Sequence, residues 1–288
     1  MQTVEMTHAQ KITVVDLYDR VAPQYGRVGP AIFLCLGRRL AELSGVTNGA
    51  CVLDVATGRG ASLFPVSEII GDAGRVIGID LSAKMVSETF ADISRMSVQN
   101  AAVLRMDAEH LAFRDESFNF LLCGFAMFLF PQPDRTLSEW RRVLRPGGKI
   151  SISVAGRGDE RWLWYEELLI AYHRAHNFPL SPGGSGLRDP EAIEMALSDA
   201  GFIDTQIIVE EHEFIYGTEQ EWWEAKWTHG ARYPLERMKS EVLNQFRREV
   251  LARLEDQKMG DRIREKWRLV CIVGLKPPDG YSHRAVEP

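Results

Sequence analysis

CVLDVATGRG, residues 51–60, decides how the rest of the chain is read. Its first half is a short apolar run carrying one carboxylate, Asp54, and its second half breaks into Thr57, Gly58, Arg59 and Gly60. Such a run reads as a buried strand, and glycines directly after it let backbone approach a ligand without a side-chain clash. Asp54 sets a negative charge beside that approach. The first inference is a ligand that uses both.

The pattern continues C-terminally. A helical spacing runs through Leu63, Phe64, Val66, Ile69 and Ile70, and RVIGID (75–80) is a second strand before a helix opened by Ser82. AAVLRMD (101–107) and FNFLLCGF (118–125) read as further strands. A helix through Leu137, Trp140, Val143 and Leu144 stops at RPGG (145–148), and KISISV (149–154) is the next strand. Strands that are apolar throughout and separated by helices imply a parallel sheet covered on both faces. Upstream, residues 13–25 and 30–44 read as two helices. Downstream, 159–176 looks helical, PLSPGGSG (179–186) is a loop, and Asp189 caps a helix ending at Gly201. FIDTQIIVEEHEF (202–214) is a strand, 218–259 is helical and rich in tryptophan, and 267–275 is a last strand before a frayed tail from Pro277. The chain thus divides into N-terminal helices (1–48), a ligand-binding core (49–155), and cap segments with the last two core strands (156–288).

A chain of 288 residues suits one large domain, or one core with an insertion. A net charge of −6 would leave a nucleic-acid partner only a local basic patch. Cys35, Cys51, Cys123 and Cys271 lie far apart without CxxC spacing, as thiols of a reducing compartment do. No signal pattern opens the chain, and its most apolar stretch, 118–130, is shorter than the roughly 20 residues a bilayer requires. The expectation is a cytoplasmic protein without nucleic-acid or membrane partner, homo-oligomer formation being left open.

A glycine loop between a first strand and a first helix points to a nucleotide-like ligand at the carboxyl edge of the sheet. The dinucleotide fingerprint GxGxxG fails, because Leu63 stands at its third glycine. No tyrosine has a lysine four residues on, and no Gly-Lys-Ser/Thr loop occurs. What remains is a ligand with a ribose, an adenine and an amino-acid end but no phosphate.

DVATGRG (54–60), Asp80, Asp107 and LRPGG (144–148) together resemble the class I S-adenosylmethionine (SAM) methyltransferases, and within them the ubiquinone/menaquinone-methyltransferase-like group. LAFRDESF (111–118) is similar to that group's pattern before its fourth strand. The resemblance spans about residues 18–154; Ala56 stands where the group's DxGxGxG loop has its first glycine. It implies an α/β fold: a doubly wound, seven-stranded Rossmann-like methyltransferase sheet with N-terminal helices over the cofactor and a helical cap insertion. The implied cofactor is SAM, with S-adenosylhomocysteine (SAH) as product. Asp54 would orient the loop or take the ammonium group, Asp80 would accept both ribose hydroxyls, and Asp107 the adenine amino group. Ser82 can cap the following helix, which frees Asp80 from that common duty. DLYDRVAPQYGRVG (16–29) resembles a tyrosine-bearing helix of the group, with Tyr18 and Tyr25 at the matching positions near the sulfonium. The full cofactor set is Tyr25, Asp54, Ala56, Thr57, Gly58, Gly60, Asp80, Leu81, Met85, Asp107, Ala108, Gly124 and Phe125.

The fourth strand exits as CGFAMFLF (123–130), with no carboxylate before Asp134, so no metal site is expected. The Asn-Pro-Pro-aromatic motif of DNA amino-methyltransferases is absent. The apolar exit and the cap tryptophans suggest a flat, greasy acceptor, with Phe128, Trp162, His173, Trp223 and Trp227 as its candidate contacts. Plain packing is the competing account of the aromatic residues, and a solvated helix face that of His173. Catalytic candidates are His229, whose ordinary pKa near 6.5 suits a general base, and Tyr25. The expected function is O-methylation of a small apolar or aromatic metabolite in secondary metabolism. The alternatives are C- or N-methylation, or a SAM-binding cyclase or binding protein of the same fold that transfers no methyl group.

Overall fold

The computed structural model describes residues 2–281, with side chains from residue 8 onward. Helices α1 (Gln2–Val21) and α2 (Ile32–Leu43) come first, α1 beginning well before the expected Thr13. Strands β1 (Cys51–Val55), β2 (Arg75–Asp80), β3 (Ala101–Arg105), β4 (Phe118–Gly124) and β5 (Leu144–Ala155) follow. Helices α3 (Leu63–Ile70), α4 (Ala83–Arg95) and α5 (Pro133–Val143) lie among them. Then come α6 (Leu163–His176), α7 (Pro190–Asp199) and β6 (Ile203–Tyr216). The chain closes with α8 (Glu219–Ala225), α9 (Arg232–Leu235), α10 (Ser240–Asp256), β7 (Lys258–Met259) and β8 (Arg262–Leu275).

The sheet runs β3-β2-β1-β4-β5-β8-β6, with β7 a short hairpin partner of β8. The first five strands in that order pair in parallel, whereas β8 is antiparallel to both β5 and β6. Reversal of order between β2 and β4 about β1 opens a crevice at the carboxyl ends of those strands. One apolar core lies under α5 and α7, around Trp140, Leu121 and Ile152. A second joins α2 and α3 to the strands around Leu40, Val52 and Leu63. A third belongs to the cap, where Trp162, Trp222, Trp223 and Phe246 pack on the ends of β6 and β8 and on Leu36 of α2.

Three expectations are corrected. RPGG (145–148) does not separate α5 from the next strand: β5 starts at Leu144, opposite Phe118, and resumes at Lys149 opposite Phe120, leaving 145–148 as a bulge. Gly147 sits there at φ +73° and donates its amide to the Lys276 carbonyl at 2.9 Å. The segment 218–259 is three helices followed by the short strand β7, so it is not helical to its end. The last strand begins at Arg262, because β6 pairs with it as far as Tyr216 opposite Ile263. Charges there hid the strand: Arg264 and Arg268 pair across the ladder with Glu213 and Glu211, each at 2.8 Å. The tail beyond Tyr281 lies outside the described residues. Among the described residues no helix is long and apolar enough to cross a membrane.

Candidate functional site

The loop after β1 is built from backbone conformations that side chains resist. Ala56 and Gly58 lie at φ +52° and Gly60 at +76°. The two glycines do different things. A Cβ at Gly60 would press on the Phe64 ring at 2.6 Å, whereas one at Gly58 would meet nothing within 4 Å. Gly60 therefore serves packing, and Gly58 presents open backbone to a cavity. Beneath the loop, Asp54 is buried and accepts the Thr57 hydroxyl at 2.5 Å, while the Thr57 amide donates to the Ile79 carbonyl at 3.0 Å. Burial pushes the Asp54 carboxyl up to about 7 against that hydrogen bond. Arg59 turns away from the cavity, bonding the Ala22 carbonyl at 2.7 Å, Glu88 at 3.1 Å, and Asp92. It ties the loop to the end of α1 and to α4.

Asp80 ends β2 and accepts two amides at 2.9 Å, Gly58 on one oxygen and Ser82 on the other. Ser82 caps α4 with its own hydroxyl, accepting the Met85 amide at 3.0 Å. Each Asp80 oxygen keeps acceptor capacity for a hydroxyl. Burial raises its pKa to about 6, the two amides acting the other way. Asp107, past β3, accepts Lys11 of α1 at 2.7 Å, and Lys11 also pairs with the buried Glu109. Burial works against the Asp107 charge, but Lys11, the Glu109 amide and His110 outweigh it and hold its carboxyl below the usual range. Lys11, Val14 and Tyr18 form one face of α1 along the cavity wall.

Ten residues of the expected cofactor set line one cavity of roughly 770 Å³, open mouth included: Tyr25, Ala56, Gly58, Asp80, Leu81, Met85, Asp107, Ala108, Gly124 and Phe125. Asp54, Thr57 and Gly60 lie beneath it. Sequence reasoning missed Lys11, Val14, Ile79, Met106 and Pro131, which share the lining with Ala126, Leu129 and Phe130. The i, i+3, i+7 spacing of Lys11, Val14 and Tyr18 was the available signal for α1. The donors and acceptors fit a nucleoside: open backbone at Gly58, a carboxylate at the ribose position, and a carboxylate two strands away for a base.

The other wall is aromatic. Phe33, unremarked in the sequence, stacks on Tyr25 at 5.1 Å and meets Phe125, His229 and Trp267 edge-on at 5.9, 5.5 and 6.0 Å. Phe125 itself holds φ +53°, a strained conformation for a bulky side chain, with its amide on the Ser153 carbonyl at 2.9 Å. Burial, with the charges of Tyr18 and Asp80, raises the Tyr25 phenol well above its ordinary pKa, so it stays protonated. His229 departs from the expected titration near neutrality. Burial, with Lys226 adding to it, pushes its pKa down to about 3, and its Nδ1 accepts the Ala231 amide at 3.3 Å.

The five expected acceptor contacts fall elsewhere; none lines the cavity. Trp162 stacks on Trp222 at 5.4 Å, Trp223 packs on Phe246 at 6.2 Å, and Trp227 meets Trp223 edge-on at 6.2 Å. His173 bonds the Phe178 carbonyl at 2.5 Å, closing the end of α6. Phe128 lies under the Arg188 guanidinium, 3.7 Å from its ring centre. These side chains were read from type and position, whereas their direction is set by a cap core whose packing no local pattern announces. No group of three or more His, Cys, Asp or Glu that could hold a metal occurs among the described residues.

Residues 52–148 match the family model described as a methyltransferase domain. The chain is 32% identical over 143 residues to aklanonic acid methyltransferase DauC of Streptomyces sp. strain C5, covering 50% of this chain and 65% of that protein. It is 34% identical to nocamycin O-methyltransferase of Saccharothrix syringae, over 48% of this chain and 49% of that protein. It is 30% identical to demethylmenaquinone methyltransferase of Lactiplantibacillus plantarum, over 53% of this chain and 68% of that protein. The chain thus spans less than two thirds of the length of the first two. Among solved structures, the [4+2]-cyclase SpnF superposes with a TM-score of 0.55 at 19% identity, covering 94% of this chain and 96% of that one, a likeness of fold.

Proposed function

Since the chain belongs to the SAM-dependent methyltransferases, we propose that it methylates an oxygen of a small, largely apolar or aromatic metabolite of secondary metabolism. The observation that carries this reading is one cavity lined by both kinds of group: Gly58, Asp80 and Asp107 for polar recognition, and Tyr25, Phe125, Leu129 and Phe130 for an apolar surface. The nocamycin relative, an O-methyltransferase, supports oxygen as the methylated atom.

Bound SAM supplies a methyl group made electrophilic by its sulfonium charge. The chain's part is placement. Asp80 offers each oxygen to a ribose hydroxyl while its bonds to Gly58 and Ser82 hold it still. Asp107, fixed by Lys11, receives the base. Tyr18 and Tyr25 line the cavity with π-faces that favour a cation, and as protonated phenols they add no competing charge. The acceptor rests on Phe125 and its neighbours, where exclusion of water and fixed orientation supply much of the rate of an in-line displacement. His229, neutral and weakly basic, shapes this wall behind Phe33.

The test is label transfer from methyl-tritiated SAM into extracts of small aromatic metabolites. Label in a solvent-extractable product is the expected result. Retention of SAM without transfer across such extracts would favour a cyclase or binding protein of the same fold.

A further inference from the structure

Arg188 is a cation without an ion-pair partner among the described residues. Arg20 of α1 and Arg59 of the loop after β1 hold Glu236 and Asp92. Arg188, an exposed side chain, has no carboxylate or other hydrogen-bond acceptor among the described residues and lies over the face of Phe128. A guanidinium held over an aromatic ring through its π-contact leaves N–H donors available for bidentate binding of a carboxylate. Its place is fixed by the loop that bears it: the Ser185 amide bonds the Phe130 carbonyl at 3.1 Å and the Gly186 amide the Phe128 carbonyl at 3.3 Å. Phe130 and Leu129 are cavity lining, so Arg188 stands at the rim. On the other side lies Tyr18, also cavity lining, whose phenol feels the Arg188 charge.

We infer that Arg188 binds a carboxylate of the acceptor, so that the substrates are aromatic or polycyclic carboxylic acids that react as their anions. This rests on the proposed methyl transfer and names its substrate class. It also accounts for the weak base in the aromatic wall. A hydroxyl acceptor must lose a proton, and neither His229 nor the protonated tyrosines can take one readily near neutral pH. A carboxylate needs no such help. One oxygen pair forms the new O–CH3 bond as the methyl–sulfur bond breaks, its electrons staying on sulfur. Anion and sulfonium become a neutral ester and a neutral thioether, and no proton is transferred.

The experiment measures calorimetric binding of 2-naphthoate and its neutral counterpart 2-naphthamide to the full chain, at saturating SAH, for the native protein, R188Q and R188K. The native chain should prefer naphthoate roughly 10- to 100-fold, as a charge-assisted pair predicts. R188Q should level the two ligands with SAH affinity unchanged, and R188K should keep part of the preference. Equal affinity of the native chain for both ligands, no binding of naphthoate, or a preference that survives in R188Q would overturn the assignment. Failure of the native chain to bind SAH would instead overturn the methyltransferase reading beneath it.

Discussion

Replacing Asp80 with asparagine separates what this carboxylate does for the ligand from what it costs the fold. Raising a carboxyl from 3.8 to about 6 corresponds to ~3 kcal/mol. Solvent reaching the open side of the cavity reduces the burial penalty to about 1–2 kcal/mol. The neutral amide of D80N would relieve that penalty, but its single carbonyl oxygen can accept only one of the bonds from Gly58 and Ser82. The orphaned backbone amide costs about 1–2 kcal/mol. The two changes nearly cancel, so D80N should unfold within about 3 °C of the native chain when no ligand is present. Binding has no such compensation. Two ribose hydroxyls lose a charged acceptor, each bond being worth about 1.5–3 kcal/mol, and SAH affinity should fall by roughly 100-fold or more. At 100 times the native dissociation constant, SAH stabilises the native chain by about 2.7 kcal/mol, but a 100-fold weaker mutant by only ~0.4 kcal/mol. Thermal unfolding with and without SAH reads both quantities. An SAH-induced shift as large in D80N as in the native chain would refute the ribose assignment, and a collapse of ligand-free stability would refute the cancellation.

Two further outcomes follow from the same loop. Ala56 occupies φ +52°, a conformation that costs an L-residue about 1 kcal/mol; A56G should therefore raise the unfolding free energy in urea by about 0.5–1 kcal/mol, and a loss of stability would show that the alanine methyl packs better than its backbone suffers. Asp54 and Asp80 have folded pKa values raised by burial to about 7 and about 6, so between about pH 4 and 7 these two carboxyls bind more protons in the native state than in the unfolded chain. His229, held down at about 3, works the other way below about pH 6.5, but the two carboxyls outweigh it and stability falls as pH rises. The ligand-free melting temperature should thus increase from pH 7.5 to 5.5, and a flat or falling trend would mean that these carboxyls are better solvated than their burial implies.

Local rules made much of the core legible. Ser82 caps α4 and Asp189 caps α7 as their side chains suggest, because a cap is settled within three or four residues. The alternation of apolar strands and helices carried the parallel half of the sheet for the same reason. What escaped was decided at a distance. Lys11 meets Asp107 across 96 residues, and nothing near Lys11 hints at that partner. The bulge at 145–148 exists because Phe118 and Lys276 set the pairing on its two sides. The tryptophans of 162–227 looked equally suited to stacking on a ligand or on one another, and only the cap fold sends Trp162 onto Trp222. His229 meets Phe33 of the aromatic wall, and the depth that removes its basicity comes from α2 and β8 through Phe33 and Trp267.

The third core, in the cap, joins the rest of the chain mainly through α2 and the far ends of β6 and β8. The residues proposed to hold the cofactor sit on other elements, Gly58, Asp80 and Asp107 within the segment 52–148 that matches the family model, and Lys11, Tyr18 and Tyr25 on or just after α1. Substitutions at Trp162, Trp223 or Phe246 can therefore repack the cap core, which reaches the cavity through Phe125, while Gly58 and Asp80 keep their geometry. Such a chain is suited to changing its clientele by drift. Copies of the same gene could inherit one cofactor grip intact and diverge in the cap core behind Phe125, acquiring new acceptors without passing through a form that has lost its methyl donor.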